Sequence, residues 1–284
     1  MTKRISDLLL TAIAPAIWGS TYIVTTEFLP DFSPLTVALL RALPAGLLLL
    51  LIVRQLPSGI WWLRIFTLGA LNFSIFWSML FISAYRLPGG VAATLGAVQP
   101  LIVIFIAAAL LGRTIRLTSV LAAIIGLTGV ALLVLAPNAA LDSIGVAAGL
   151  AGAISMAFGT VLTRKWQPPV PLLTFTAWQL TAGGILLVPL IVLSEPAIPR
   201  PSTINLFGLV WLGLIGAALT YVLWFRGIAR IEPAAVSVLG FLSPAIAVLL
   251  GWFFLHQSLT PVQIVGVVLV LASIWLGQRT DRAA

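Results

Sequence analysis

The 284-residue chain contains no cysteine. Disulfides, iron–sulfur clusters and thiolate metal sites are therefore excluded. Charge is scarce too: charged residues make up 8% of the chain and apolar ones 61%, against about a quarter charged in a soluble domain. That balance excludes a water-soluble domain and predicts an all-α integral membrane protein. Acids are rarest of all, seven in number, and none lies near the middle of an apolar run. Histidine occurs once, at His256, so a His-Glu-x-x-His zinc site is impossible, and there is no aspartate-rich prenyl-diphosphate motif. An intramembrane enzyme of either kind is excluded, and no cofactor or metal is expected. Both lysines, Lys3 and Lys165, fall outside the apolar runs, which argues against a retinal pump. The formal charge is +8, but the basic residues are scattered between apolar runs. A nucleic-acid binder would gather them on one soluble face, so nucleic acid is not an expected partner.

A spanning helix needs about 20 apolar residues, which leaves room for ten spans with very short loops. Helices are predicted near 8–28, 34–53, 61–85, 89–111, 117–135, 143–163, 171–193, 203–225, 233–255 and 260–278. Proline and glycine stand at nearly every junction, among them Pro57-Ser58-Gly59, Pro88-Gly89-Gly90 and Pro168-Pro169. Lys3 and Arg4 ahead of Leu8 to Ala14 resemble the start of a signal peptide, with Ala12-Ile13-Ala14 as small residues for cleavage. The apolar stretch runs on past Trp18 to Phe28, which favours a retained first span. With the N-terminus inside, the cytoplasmic segments hold Lys3, Arg4, Arg54, Arg64, Arg113, Arg116, Arg164, Lys165, Arg226, Arg230, Arg279 and Arg282. The other side holds Arg86 and Arg200 alone. Twelve against two predicts that both termini are cytoplasmic. Trp61, Trp62, Trp166 and Trp275 lie near those ends and read as interface anchors.

The chain repeats itself. Gly240-Phe241-Leu242-Ser243-Pro244 echoes Gly96-Ala97-Val98-Gln99-Pro100, 144 residues earlier. A proline precedes each copy (Pro88, Pro233), a short polar break follows it (Gly112 to Arg116; His256 to Ser258), and Leu-Thr opens the next helix. Trp18-Gly19-Ser20 matches Phe158-Gly159-Thr160, while Pro34-Leu35, Arg41 and Gly46 match Pro171-Leu172, Trp178 and Gly183. The order of the matches divides the chain into 1–136 and 137–284. Five spans per half is odd, so the halves must cross the membrane in opposite senses. Proline inside such helices frees carbonyls that lipid cannot satisfy. Breaks at Gly96, Pro100, Gly240 and Pro244 therefore point to a substrate path. A passive scaffold has no need of them.

Trp18-Gly19, the Arg41 span and the stretch from Tyr221 and Trp224 through Arg230 and Pro244 to Gly266 resemble the EamA-type drug/metabolite transporter superfamily. The resemblance covers nearly the whole chain. It implies ten transmembrane helices as two inverted five-helix repeats around a central cavity. It also implies a monomer in the lipid bilayer of the bacterial inner membrane, carrying a small-molecule substrate. Many members export amino acids or related metabolites, and aromatic amino-acid exporters are the subgroup this chain resembles. One departure stands out. Members often carry Gly-Glu after the fourth and ninth spans, where this chain has Gly112-Arg113 and His256-Gln257; no role of that glutamate transfers.

Ser74, Trp77, Ser78, Phe81 and Tyr85 fall on one face of the third span. Thr11, Pro15, Trp18, Tyr22 and Thr25 make a similar face on the first, and Thr94, Tyr221, Trp224, Ser237 and Phe241 belong to the fourth, eighth and ninth. Aromatic walls with a few hydroxyls suit a ligand with an apolar body and polar ends. The competing reading is that the same residues pack helices together. Substrate contacts are expected from Trp18, Tyr22, Ser74, Trp77, Ser78, Phe81, Thr94, Tyr221, Trp224, Ser237 and Phe241. Arg41 lies about 10 Å from the outer end of its span at 1.5 Å per residue. An intramembrane cation is a functional candidate by default: it binds a substrate carboxylate or gates anions, or else it snorkels outward or caps carbonyls. Glu27 and Glu232 sit near membrane boundaries, where solvation is the simpler role. Without a deep carboxylate for proton relay, facilitated export is the simplest mechanism. A multidrug or organic-cation exporter of the same fold is the alternative, with the aromatics serving as cation–π partners.

Overall fold

In lipid an apolar chain satisfies its backbone by coiling on itself, and the described residues form helices without strands. The computed structural model describes residues 2–87, 89–134, 142–194, 199–254, 256 and 260–280. Among the described residues ten helices are long and apolar enough to cross a membrane: Arg4–Phe28, Pro34–Val53, Trp61–Ser83, Ala93–Leu111, Leu117–Val134, Ser143–Lys165, Leu172–Ser194, Thr203–Arg230, Pro233–Phe254 and Pro261–Arg279. They are numbered here as the first to tenth spans. Pro88, the junction at 136/137, Gln257 and Ser258 lie outside the described residues.

Several spans depart from straight helix. The first stops at Gly19 and restarts as Thr21–Phe28. Ser20 Oγ donates to Ile17 O at 2.7 Å and accepts from Trp211 Nε1 at 3.0 Å, the kind of local bond that competes with the helical ladder. The matching stretch of the sixth span, Ser143–Lys165, is continuous. In the fourth span regular helix ends at Gly96 and resumes at Gln99; in the ninth it ends at Leu239 and resumes at Leu242. The C-terminal ends of these two broken spans both use a left-handed residue, Gly112 at φ 65° and His256 at φ 52°. Glycine is the usual choice there because it has no Cβ to clash.

The third and eighth spans share a feature that periodicity does not reveal. Each contains a π-helical stretch, Ala70–Ser74 in one and Trp211–Leu219 in the other. A π turn accommodates an extra residue and loosens the backbone ladder, and such turns recur at functional sites.

Packing follows the same two-fold plan. The first span packs on the eighth and ninth, as the sixth packs on the third and fourth. The second and seventh spans lie along one another, as do the fifth and tenth. Close approach requires small residues. A Cβ on Gly129 would sit 2.9 Å from Gly266 O, and one on Gly266 would sit 2.8 Å from Gly129 O. This reciprocity places the fifth and tenth spans backbone to backbone.

At the end of the bundle bearing the N-terminus, Asp7 pairs with Arg226 at 2.5 Å and Arg230 at 3.1 Å, tying the first span to the eighth. Arg113 meets Glu232 at 3.5 Å across the fourth and ninth. Arg164 donates to the carbonyls of Ile228 (2.9 Å) and Ala229, placing a cation at the negative end of the eighth helix. Arg64 lies over Trp61 and Trp166, and Arg279 over Trp275. At the opposite end Arg86 and Asp142 stand 3.7 Å apart.

Candidate functional site

The Gly216 carbonyl, within the eighth span's π-helical stretch, is where three spans meet. It accepts from Arg41 Nη2 at 3.0 Å, Trp18 Nε1 at 3.2 Å and Thr220 Oγ1 at 2.8 Å. Trp18 also donates to Thr220 Oγ1 at 2.9 Å. Lacking a side chain, Gly216 leaves its flank uncrowded: a Cβ there would stand 3.6 Å from Trp211 O and 3.8 Å from Arg41 Nη2.

Arg41 is 6% exposed, and its guanidinium carbon lies 4.6 Å from the centre of the Trp77 ring. Its Nε has no hydrogen-bond partner among the described residues, and none of the ion pairs found there includes it. A buried cation is costly unless paired and hydrogen-bonded. Here one carbonyl and one π face supply the compensation, with no counter-charge paired to it among the described residues.

Aromatic rings surround this cation. Trp18 lies 5.1 Å from both Tyr221 and Trp224, Phe73 lies 4.6 Å from Tyr221 and 5.2 Å from Trp77, and Phe225 closes the group beneath Tyr221. Trp77, Tyr221 and Trp224 are 3%, 2% and 1% exposed. The Trp224 Nε1–H has no partner among the described residues.

The structure thus brings Trp18, Arg41, Trp77, Tyr221 and Trp224 together. Ser78 is buried on the third span, and Phe81 and Thr94 are half-buried. Ser74 Oγ donates to Gly183 O at 2.8 Å, stapling the third span to the seventh. Ser237 is buried and donates to Ala234 O within its own helix. Phe241 lies apart from the others, packed with Val130, Leu133 and Val270 of the fifth and tenth spans. The side chains of Tyr22 and Tyr85 lie outside the described residues. At the breaks, a Cβ on Gly96 would meet nothing within 4 Å, and one on Gly240 would meet only Ser237 O of the same helix. Pro100 and Pro244 fall at the start of the helices that follow.

A second polar group escaped the sequence reading. Asn72, in the third span's π-helical stretch, donates to Gln179 Oε1 at 2.8 Å and Thr163 Oγ1 at 3.1 Å. Ser155 Oγ donates to the adjacent Leu71 O at 2.8 Å. Two amides deep in apolar spans were the signal that could have found it. This group joins the third, sixth and seventh spans as the Gly216 group joins the eighth, first and second. Among the described residues no cluster of three potential metal ligands occurs.

Comparison with known proteins agrees with this architecture. A family model described as the EamA-like transporter family matches residues 5–135 and again 143–277. Protein PecM of Dickeya dadantii is 46% identical over 267 residues, covering 93% of this chain and 90% of PecM. The uncharacterized inner membrane transporter YedA of Escherichia coli K12 is 29% identical over 252 residues, 87% and 82% of the two chains. A probable terminal-alkyne amino-acid exporter of Streptantibioticus cattleyicolor is 23% identical over 211 residues, 74% and 71%. One solved crystal structure superposes with a TM-score of 0.83 at 19% identity, covering 98% of this chain and 99% of the other, and so shares the fold.

Proposed function

The chain belongs to the EamA-like transporter family, and on that premise we propose that it exports amino acids, aromatic and other mainly neutral ones, with related metabolites. Members of the family are transporters, and the chain is a multi-pass membrane transporter rather than an enzyme. The finer reading rests on one observation: a buried guanidinium, Arg41, stacks on Trp77 beside a cluster of aromatic rings, with no carboxylate paired to it among the described residues. An amino acid with an apolar side chain supplies what that site lacks. Its carboxylate pairs with Arg41, and its body takes the place of ring–ring contacts. The name of the distant amino-acid exporter supports the same class. An organic cation would also suit the rings, but it would be repelled by Arg41.

Alternating access follows from the broken fourth and ninth spans, which face each other from opposite halves, 1–136 and 137–284. The two separate family matches support that division. The twelve basic residues on the N-terminal side support an inner-membrane protein with both termini in the cytoplasm, working as a monomer.

Purified protein in liposomes loaded with labelled phenylalanine tests this reading. Efflux should be saturable, and Arg41→Gln should reduce it by at least about tenfold, the scale of a lost charge-assisted hydrogen bond. The variant must remain monodisperse. Ethidium efflux without phenylalanine efflux would transfer the protein to the organic-cation class.

A further inference from the structure

We propose that the site selects its cargo by carboxylate and aromatic body alone, so that aromatic carboxylates lacking an α-ammonium group are carried on equal terms with the amino acids. This rests on the amino-acid reading above. The site is rich in donors and poor in acceptors. Arg41 Nε and Trp224 Nε1 are buried hydrogen-bond donors without partners among the described residues. The carbonyl beside Arg41, Gly216 O, is already shared by Arg41, Trp18 and Thr220. The Trp77 face that would hold an ammonium by cation–π attraction already carries the Arg41 guanidinium.

Nor, among the described residues, is an acid placed to take the ammonium. Asp7, Asp142 and Glu232 are paired with arginines at the two ends of the bundle. Glu27 and Asp31 are exposed where the first span ends. Glu195 and Asp281, outside the described residues, follow the last residues of the seventh and tenth spans in sequence. An ammonium brought beside Arg41 would lose its water and face a like charge, with no anion in return. A carboxylate there gains a guanidinium, and Trp224, whose ring lies 5.1 Å from that of Trp18, brings a second unpaired donor to the same cluster.

Titration calorimetry on the purified full chain, with phenylalanine, 3-phenylpropionate and phenethylamine as ligands, decides the matter. The expected result is that 3-phenylpropionate binds within about threefold of phenylalanine, while phenethylamine binds at least about tenfold more weakly, as loss of a charged hydrogen-bonded group requires. Trp224→Phe, which keeps the ring and removes the N–H, should weaken both carboxylates by a similar factor. Arg41→Gln should remove both. If that variant does not fold, the comparison of ligands on the native protein stands by itself. Phenylalanine binding at least about tenfold tighter than 3-phenylpropionate would overturn the inference and leave the amino-acid reading in place. Phenethylamine binding without either carboxylate, or no binding by any of the three, would overturn both.

Discussion

Gly216 has no side chain, yet three side chains are arranged around its carbonyl. Backbone acceptors leave no mark in a sequence, so this centre was not legible there. Its surroundings were. Arg41 stands out as the basic residue well away from the ends of its span, and Trp18, Trp77, Tyr221 and Trp224 share helical faces with small or hydroxyl residues. Phe241 was less legible because the break before Leu242 resets the helical phase. A face projected through Gly240 loses its direction there. Asn72 belongs to the structural side of the ledger. Its amide ties three spans, and Gly159 leaves just enough room for its Oδ1, since any Cβ there would overlap it. Asn72→Ala should lower stability by about 1–2 kcal/mol, the scale of interhelical polar contacts in membranes. Affinity for phenylalanine in the folded fraction should be unchanged. Thermal unfolding and calorimetry on the same sample separate the two quantities, and a fall in affinity alone would place Asn72 in the site.

Among the elements, the ten spans were readable from length and apolarity because lipid allows few alternatives. The π-helical stretches were not readable, since one extra residue in a turn leaves composition unchanged. Their effect is to shift the helical phase midway along the third and eighth spans. Just at and after the first of them, Ser74 turns to the seventh span and Trp77 to Arg41. The broken fourth span offers a sharper test. Because a Cβ on Gly96 meets nothing within 4 Å, Gly96→Ala should fold as well as the native chain and transport normally. Gly96→Leu should fold too, but cut phenylalanine efflux severalfold if the open space is the path. Undiminished efflux through folded Gly96→Leu protein would show that the space lies off the path.

At the scale of the whole molecule, charge sits at the two ends and is nearly absent between them. The paired acids Asp7, Asp142 and Glu232 hold elements together at those ends. Such exposed or half-exposed pairs contribute at most about 1 kcal/mol each. A transporter coupled to protons usually places a titratable group deep in the membrane, and this chain has no acid there. Efflux of labelled phenylalanine should therefore persist when a protonophore collapses the proton gradient, and it should survive Glu27→Gln. Proton flux driven by substrate flux in the same liposomes would overturn the facilitated mechanism.

The reciprocal contact of Gly129 and Gly266 also bears on how the protein is made. These glycines are 137 positions apart, and the fifth span's principal partner is the tenth span. At 5–20 residues per second, a ribosome needs roughly 7–27 seconds to cover that distance. Throughout that interval the newly inserted fifth helix presents its glycine face to lipid or to the insertion machinery. The pair closes only once the tenth span has been made, so a chain cut short before it leaves that glycine face uncovered.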